Sequence, residues 1–384
     1  MRFAEALREP GLGAIAEVKR RSPSAGDLRP DAHPATLAAG FARAGAAAVS
    51  ILVDERFGGS FEDLRAARAA TSVPLLAKGF FSSRAHLEEA RTAGADAALL
   101  LLRDLDDQSM VEMMQTAREL ELDVLVEAHD VSELSRAVAL DAEVIGINAR
   151  DLSTFEIDRR AQLELVAEAP PDRMVVAESG IVSRAQGAAA ELAGADAILV
   201  GSTLMRAPEP AEKLAELISR PLVKVCGLTR EEDVAVAAEA GADLAGFILA
   251  EASPRRAADV LPVPDTMLSV EVHVGDVDER GADLVQLYPR EEGSVRGRNA
   301  VLMREGEQVA RVLDLPWKER DPEHLARAHG AEGRVMLAGR LGPDNVGAAI
   351  EAVEPWAVDA ASRLEVEPGI KDHDKVRAFV EAAR

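Results

Sequence analysis

Six polar residues stand where hydrophobic runs end. Glu17 and Lys19 lie in "AIAEVK", Lys78 closes "VPLLAK", Glu127 sits in "VLVEAHD", Asn148 in "IGINARD" and Glu178 in "VVAESG". Glu17 and Lys19 are two apart, so an extended chain puts them on one face. A lysine among carboxylates can hold and deliver a proton, and a second lysine can neutralise an anionic substrate group. Two further stretches carry small residues: "AESGI", with Ser179 and Gly180, and "ILVGSTLMR", with Gly201 and Ser202. Their backbone N–H groups could cradle a phosphate. Ser22 and Ser24 in "RSPS" could close the phosphate side, or cap the next helix as such serines usually do.

These residues need elements that bring strand ends together. The short apolar runs are 14–18, 47–53, 73–78, 96–102, 123–128, 143–148, 174–179 and 196–201, separated by Ala-, Leu-, Glu- and Arg-rich segments of helical composition. Strands alternating with helices imply a parallel sheet, and eight of them point to a (β/α)8 barrel, which presents chemistry at its C-terminal face. The pattern then restarts at 222–226, "LVKVC", which holds the only cysteine, Cys226. Further candidate strands are 243–249, 268–274, 283–288, 299–303, 308–314, 334–339 and 357–362. A second barrel in so short a stretch must have helices clipped to turns, and 275–330 is where that is expected. The fold expected is therefore α/β, two consecutive (β/α)8 TIM barrels at 1–219 and 220–384, the second short and irregular. Pro221 follows the last helix of the first domain without a flexible linker, so contact between the domains is expected.

The 384 residues are long for a single core, and 48% hydrophobic content with only 3% aromatics predicts a core of Ala, Val, Leu and Ile. A formal net charge of −23 argues against non-specific binding to nucleic acid or to anionic membranes, but not against small anionic substrates. One cysteine rules out an intrachain disulfide or a multi-cysteine metal cluster, and no convincing metal site emerges from the scattered histidines. His129, beside Glu127, is the one nearest the proposed chemistry. "MRFAEALREPG" is too polar and short for a signal peptide, and no apolar run approaches the roughly 20 residues of a membrane span. A soluble, cytoplasmic protein is expected.

"IAEVKRRSPSAG", "LLAKGFF", "LVEAHD", "IGINARDLSTFEID", "VVAESGI" and "ILVGSTLMR" resemble, in order and spacing, the motifs of indole-3-glycerol-phosphate synthase. That resemblance implies closure of the indole ring of 1-(2-carboxyphenylamino)-1-deoxyribulose 5-phosphate with loss of CO2 and water, using no metal or organic cofactor. Carried over by motif, Lys78 is the general acid and Glu127 its acid–base partner. Glu17, Lys19, Asn148, Glu178 and Ser179 bind or steer the substrate, and Ser22, Gly180, Gly201 and Ser202 form the phosphate site. A lysine with a lowered pKa would suit the acid role. Three departures stand out. Only "MRFAEALREPGLGA" precedes "IAE", where the family carries a longer segment with a covering helix; "KDF" has become "KGF" with Gly79; and Ala149 occupies a commonly polar position.

"KVCGLTREEDVAVAAEAGADLAGFILAEASPRR", "LAGRLGPDNV" and "VDAASRLEVEPGIKDHDKVRAFVE" resemble phosphoribosylanthranilate isomerase. The resemblance implies an Amadori rearrangement with Cys226 as general base and Asp314 as general acid, and Arg255, Gly342 and Ser362 among the substrate-binding residues. Here Tyr288 and Pro289 replace a His-Gly corner, and Arg340 and Arg363 stand in the expected phosphate loops. A guanidinium can bind phosphate bidentately, but its bulk can equally fill the pocket. The expectation is a fused enzyme for two successive steps of tryptophan biosynthesis, acting on small phosphorylated anions. The alternatives are a synthase with an inert second barrel, or a non-catalytic phosphate-ligand scaffold.

Overall fold

A short motif recurs at the base of both halves and explains much of their regularity. "AGAD" ends a helix and starts a strand at residues 93–96, 194–196 of "LAGAD", and 240–243. Its glycines take left-handed φ values, 100° at Gly94, 112° at Gly194 and 90° at Gly241. A β-carbon is strained there, and the following N–H closes the helix by bonding five residues back, as Ala95 does to Ala90 and Ala242 to Ala237. The aspartate then accepts from a backbone N–H at the start of the neighbouring strand: Asp96 from Leu75 at 2.8 Å, Asp196 from Val175 at 2.7 Å and Asp243 from Val223 at 2.8 Å. Helix exit and strand register are thus set by one tetrapeptide.

The computed structural model describes residues 2–22, 26–150, 154, 156–289, 300–314, 317, 328 and 332–384. Contacts divide the chain into two compact units, 1–182 with 187–218, and 219–384 with 183–186. The first unit holds strands β1 (Gly13–Val18), β2 (Ala48–Leu52), β3 (Leu75–Lys78), β4 (Ala97–Leu101), β5 (Asp123–Ala128), β6 (Val144–Asn148), β7 (Met174–Glu178) and β8 (Ala197–Val200). All run parallel in sequence order, and β1 pairs with both β2 and β8, closing the barrel. Outward Ala, Val and Leu side chains pack against the helices, while Ile15, Leu76, Leu99, Leu125, Val176 and Leu199 fill the interior. Helix α1 (Phe3–Leu7) plugs the lower end: Phe3 and Leu7 join that interior cluster, and Asp123 at the foot of β5 accepts from Ala4 N at 3.1 Å and pairs with Arg2.

The second unit also closes eight strands in sequence order, β9 (Leu222–Cys226), β10 (Leu244–Ile248), β11 (Leu268–Val274), β12 (Leu284–Tyr288), β13 (Ala300–Arg304), β14 (Glu307–Asp314), β15 (Val335–Ala338) and β16 (Ala357–Ala360). The expectation of an all-parallel sheet fails at one strand: β13 is antiparallel to both β12 and β14. The cause is local. Glu305 and Gly306, with φ of 50° and 83°, form a two-residue hairpin turn of the kind that needs two positive φ values, so no helix intervenes. Residues 275–283 likewise join β11 to β12 without a helix, which is the clipping expected there. No helix of the described residues is long and apolar enough to cross a membrane.

Candidate active site

Strand alternation turns the first barrel's polar residues inward. Ile15, Leu76, Leu125 and Val176 face the interior, so Glu17, Lys78, Glu127 and Glu178, each two residues on, enter the same mouth. Lys78 is the hub. Its Nζ lies 2.6 Å from Glu178 Oε2, 3.5 Å from Glu17 Oε2 and 3.7 Å from Glu127 Oε2. Lys19 Nζ is 2.5 Å from Glu17 Oε1. Asn148 Nδ2 donates to Glu127 Oε1 at 3.2 Å, and the Arg150 backbone N–H, donating to Asn148 Oδ1 at 3.0 Å, fixes which way that amide points.

Two glycines make room for this crowding. A β-carbon on Gly146 would lie 2.2 Å from Glu178 Oε1, and one on Gly201 would lie 2.3 Å from Glu17 Oε1 and 2.9 Å from Lys19 Nζ. A glycine inside a strand marks such close approach, so Gly146 in "EVIGIN" carried a readable signal. The reading of Gly201 as phosphate loop is extended by this second duty.

The charges in the cluster set one another's protonation. Burial would push the Lys78 ammonium down, but Glu178, Glu17 and Glu127 outweigh it and hold it well above the usual lysine range. This corrects the expectation of a lowered pKa: three facing carboxylates decide the sign. Burial raises Glu178 to about 7, against the pull of Lys78 and with help from Glu127. Glu127 is driven up by burial, yet the nearby His129 and the Lys78 charge bring it down to about 2. Glu17 is likewise held low, burial being overcome by Lys19 and Lys78. Four adjacent groups thus include one carboxyl that titrates near neutrality beside others locked ionised.

Ser22, Ser179, Gly180, Gly201 and Ser202 line the same cavity, of about 440 Å³, as the lysine–carboxylate cluster. Ser179 and Gly180 both have left-handed φ, 70° and 73°, and Thr203 Oγ1 donates to Ile181 O at 2.7 Å, tying the loop after β7 to the segment after β8. Ser24 lies outside the described residues. Opposite the polar end, Phe57 and Phe80 stack with ring centroids 6.3 Å apart, and the Arg56 guanidinium lies 4.0 Å from the Phe80 centroid. Sequence reasoning missed this aromatic wall, because the two phenylalanines come from separate loops.

In the second barrel the same alternation places Lys224, Gln286, Tyr288, Asp314 and Asp359 inside. Lys224, fully buried, has its Nζ 2.7 Å from Gln286 Oε1 and 3.0 Å from Asp359 Oδ2. Gln286 Nε2 donates to Tyr288 Oη at 2.9 Å, and Tyr288 Oη donates to Asp314 Oδ2 at 3.0 Å. Burial raises the Tyr288 phenol, with Asp314, Asp359 and Cys226 adding to the effect. Burial also pushes the Cys226 thiol up, more than Lys224 pulls it down. Arg255 is engaged by Glu365 at 2.8 Å, which also takes Lys371 at 3.0 Å. Arg363 leans over Gly342, whose β-carbon would meet its Nε at 3.2 Å, and pairs with Asp344 at 2.8 Å. Ser362 opens the short turn that carries Arg363.

The class follows: a tandem TIM-barrel protein with acid–base groups gathered at the C-terminal face of its first barrel and a less regular second barrel behind it in sequence. The family model described as indole-3-glycerol phosphate synthase matches residues 1–217, and the chain belongs to that family, a family of tryptophan-pathway enzymes. The model for N-(5'-phosphoribosyl)anthranilate isomerase matches 321–382, so the synthase domain is fused to a divergent isomerase-like one. Family identity implies small phosphorylated metabolites as substrates. The chain is 44% identical over 215 residues to the indole-3-glycerol phosphate synthase of Mycobacterium ulcerans, covering 56% of this chain and 79% of that protein. It is 48% identical over 205 residues to that of a Nocardioides species, covering 53% and 79%. Among solved structures, TrpF from Jonesia denitrificans is 27% identical, covers 43% of this chain and 97% of its own, and has a TM-score of 0.36. Phosphoribosyl anthranilate isomerase from Thermotoga maritima is 25% identical, covers 43% and 98%, and has a TM-score of 0.33.

Proposed function

We propose that the first barrel, within residues 1–219, converts 1-(2-carboxyphenylamino)-1-deoxyribulose 5-phosphate to indole-3-glycerol phosphate in the cytoplasm. The observation that carries this reading is Lys78 Nζ within 3.7 Å of three carboxylates at the mouth of a cavity that also holds small-residue loops. A protonated Lys78 donates to the ketone oxygen as the ring carbon bearing the carboxylate attacks the ketone carbon. The new C–C bond leaves positive charge on the anilino nitrogen, which Glu17, Glu127 and Glu178 stabilise through space. Loss of CO2 returns the bonding pair to the ring; Lys78, reprotonated from solvent, then protonates the new hydroxyl, which leaves as water while Glu127 takes a proton from the methylene carbon beside the nitrogen, completing the indole. Lys19 answers the substrate carboxylate, and Ser22, Ser179, Gly180, Gly201 and Ser202 take the phosphate. Phe57 and Phe80 offer a face to the aromatic ring. Lys78→Ala tests this: ring closure followed by indole absorbance is lost, and closure near the parent rate would refute the assignment.

The same reading extends to 220–384: isomerisation of N-(5-phosphoribosyl)anthranilate, with Cys226 as base, Asp314 as acid, and Arg255, Gly342 and Ser362 at the substrate. What supports it is a barrel that buries Cys226 at the end of β9 and holds Asp314, accepting from Tyr288 Oη at 3.0 Å, at the end of β14. Loss of anthranilate fluorescence slows strongly in Cys226→Ala; an unchanged rate would refute Cys226 as the base.

A further inference from the structure

The segment "EAHDVSEL" builds a second arrangement beneath the first barrel's chemistry. Asp130 caps helix α2 (Val131–Ala139), its side chain accepting from Glu133 N at 2.8 Å. A glutamate three residues past such a cap commonly reaches back to the cap's own N–H. Here Glu133 reaches one residue further: its Oε2 accepts from His129 N at 2.8 Å and lies 3.0 Å from His129 Nδ1. That leaves Nε2 at ion-pair distance from Glu127 Oε1, 3.2 Å away, without hydrogen-bond alignment. The side chains of Glu127, His129 and Glu133 are 4%, 16% and 15% exposed, so little water competes.

Resting on the ring-closure reading of this barrel, we propose that His129 is a positioning residue: clamped between Glu127 and Glu133, its imidazolium holds Glu127 ionised and aimed at Lys78. The groups facing Glu127 are Lys78 from β3, Asn148 from β6, Glu178 from β7 and His129 itself; those facing His129 are Glu127 and Glu133. Lys78 is shared among three carboxylates, so it cannot by itself keep Glu127 charged when Glu178 titrates nearby. The imidazolium belongs to Glu127 and Glu133 alone. Burial works against its charge, but the two carboxylates beside it raise it to about 10.

The test uses the full chain and 1-(2-carboxyphenylamino)-1-deoxyribulose 5-phosphate, with kcat and KM measured from pH 5.5 to 9.5. His129→Asn should lower kcat roughly 10-fold or more at the acid end, with KM little changed and the deficit shrinking as pH rises and Glu127 ionises unaided. Glu133→Gln should stay near wild type at the acid end, where His129 remains charged, and at the alkaline end, where Glu127 ionises unaided, so that any loss is confined to the middle of the range. Imidazole 15N shifts of the ligand-free chain give a readout independent of turnover: both ring nitrogens of His129 should stay protonated at pH 8, and Glu133→Gln should lower the titration. A pH-independent deficit in both variants, or a neutral His129 at pH 8, overturns the proposal. Undiminished ring closure in Lys78→Ala would instead defeat the functional reading, leaving the imidazole measurement to stand on its own.

Discussion

The two barrels use the same frame and treat their mouths differently. Both close eight strands in sequence order, and in both an aspartate of the "GAD" corner ties one strand foot to the next, Asp96 and Asp196 in one, Asp243 in the other. In the first, glycines at 146 and 201 leave space that carboxylates occupy, and further small residues line the same cavity. In the second, Arg363 covers Gly342 and is held there by Asp344, and β13 runs backwards. Closure needs only eight laddered strands, so it survives a reversed strand and missing helices. A ligand site needs empty space beside particular groups, and one large side chain removes that.

The sharpest way to break the comparison is Lys78→Ala, expected to cost on the order of 10²–10⁴-fold in ring closure while leaving isomerisation by the second barrel unchanged in a fluorescence assay. Equal losses in both reactions would show that the mouths are not independent. Next comes Gly146→Ala: a β-carbon 2.2 Å from Glu178 Oε1 must displace that carboxylate from Lys78, for a loss of roughly 10–100-fold in kcat with KM less affected. Arg363→Gly addresses the second mouth and should lower the KM for a phosphorylated substrate several-fold; a raised KM would identify the guanidinium as a phosphate ligand.

A smaller effect separates the barrels by pH. Glu178 titrates at about 7 in the folded state and His129 at about 10, both above their ordinary values. The folded chain therefore holds extra protons between roughly pH 4.5 and 7 at Glu178, and between roughly pH 6.5 and 10 at His129. Stability from His129 is full below its unfolded pKa and lost as pH rises through the folded one, and the ionisation of buried Glu178 acts in the same direction. Melting temperature should fall from pH 5 to 9, and Glu178→Gln should flatten the part below pH 7. A Glu178→Gln curve parallel to wild type would show that this carboxyl does not carry the dependence.

Much of this was legible residue by residue. The strand ends at Glu17, Lys78, Glu127, Asn148 and Glu178 follow from period-two alternation, which is a local property of an extended chain. Cys226, Asp314 and Tyr288 were placed at strand ends for the same reason. What alternation could not reveal was which strand runs backwards, since β12, β13 and β14 look alike as apolar runs and only the Glu305–Gly306 turn distinguishes them. Nor could it assign the sign of the Lys78 shift, which depends on three carboxylates 49 to 100 residues away along the chain converging on one amine.

By itself, then, the sequence determined the number of strands, the inward face of each and the residue types offered at the first mouth, because these rest on interactions among near neighbours. Tertiary structure alone decided the distances among those groups, the protonation of Lys78 and Glu178, the clamp on His129 and the covering of Gly342 by Arg363. Each of these is a matter of charge, burial or volume between segments far apart in the chain, and such quantities exist only once the barrel has closed.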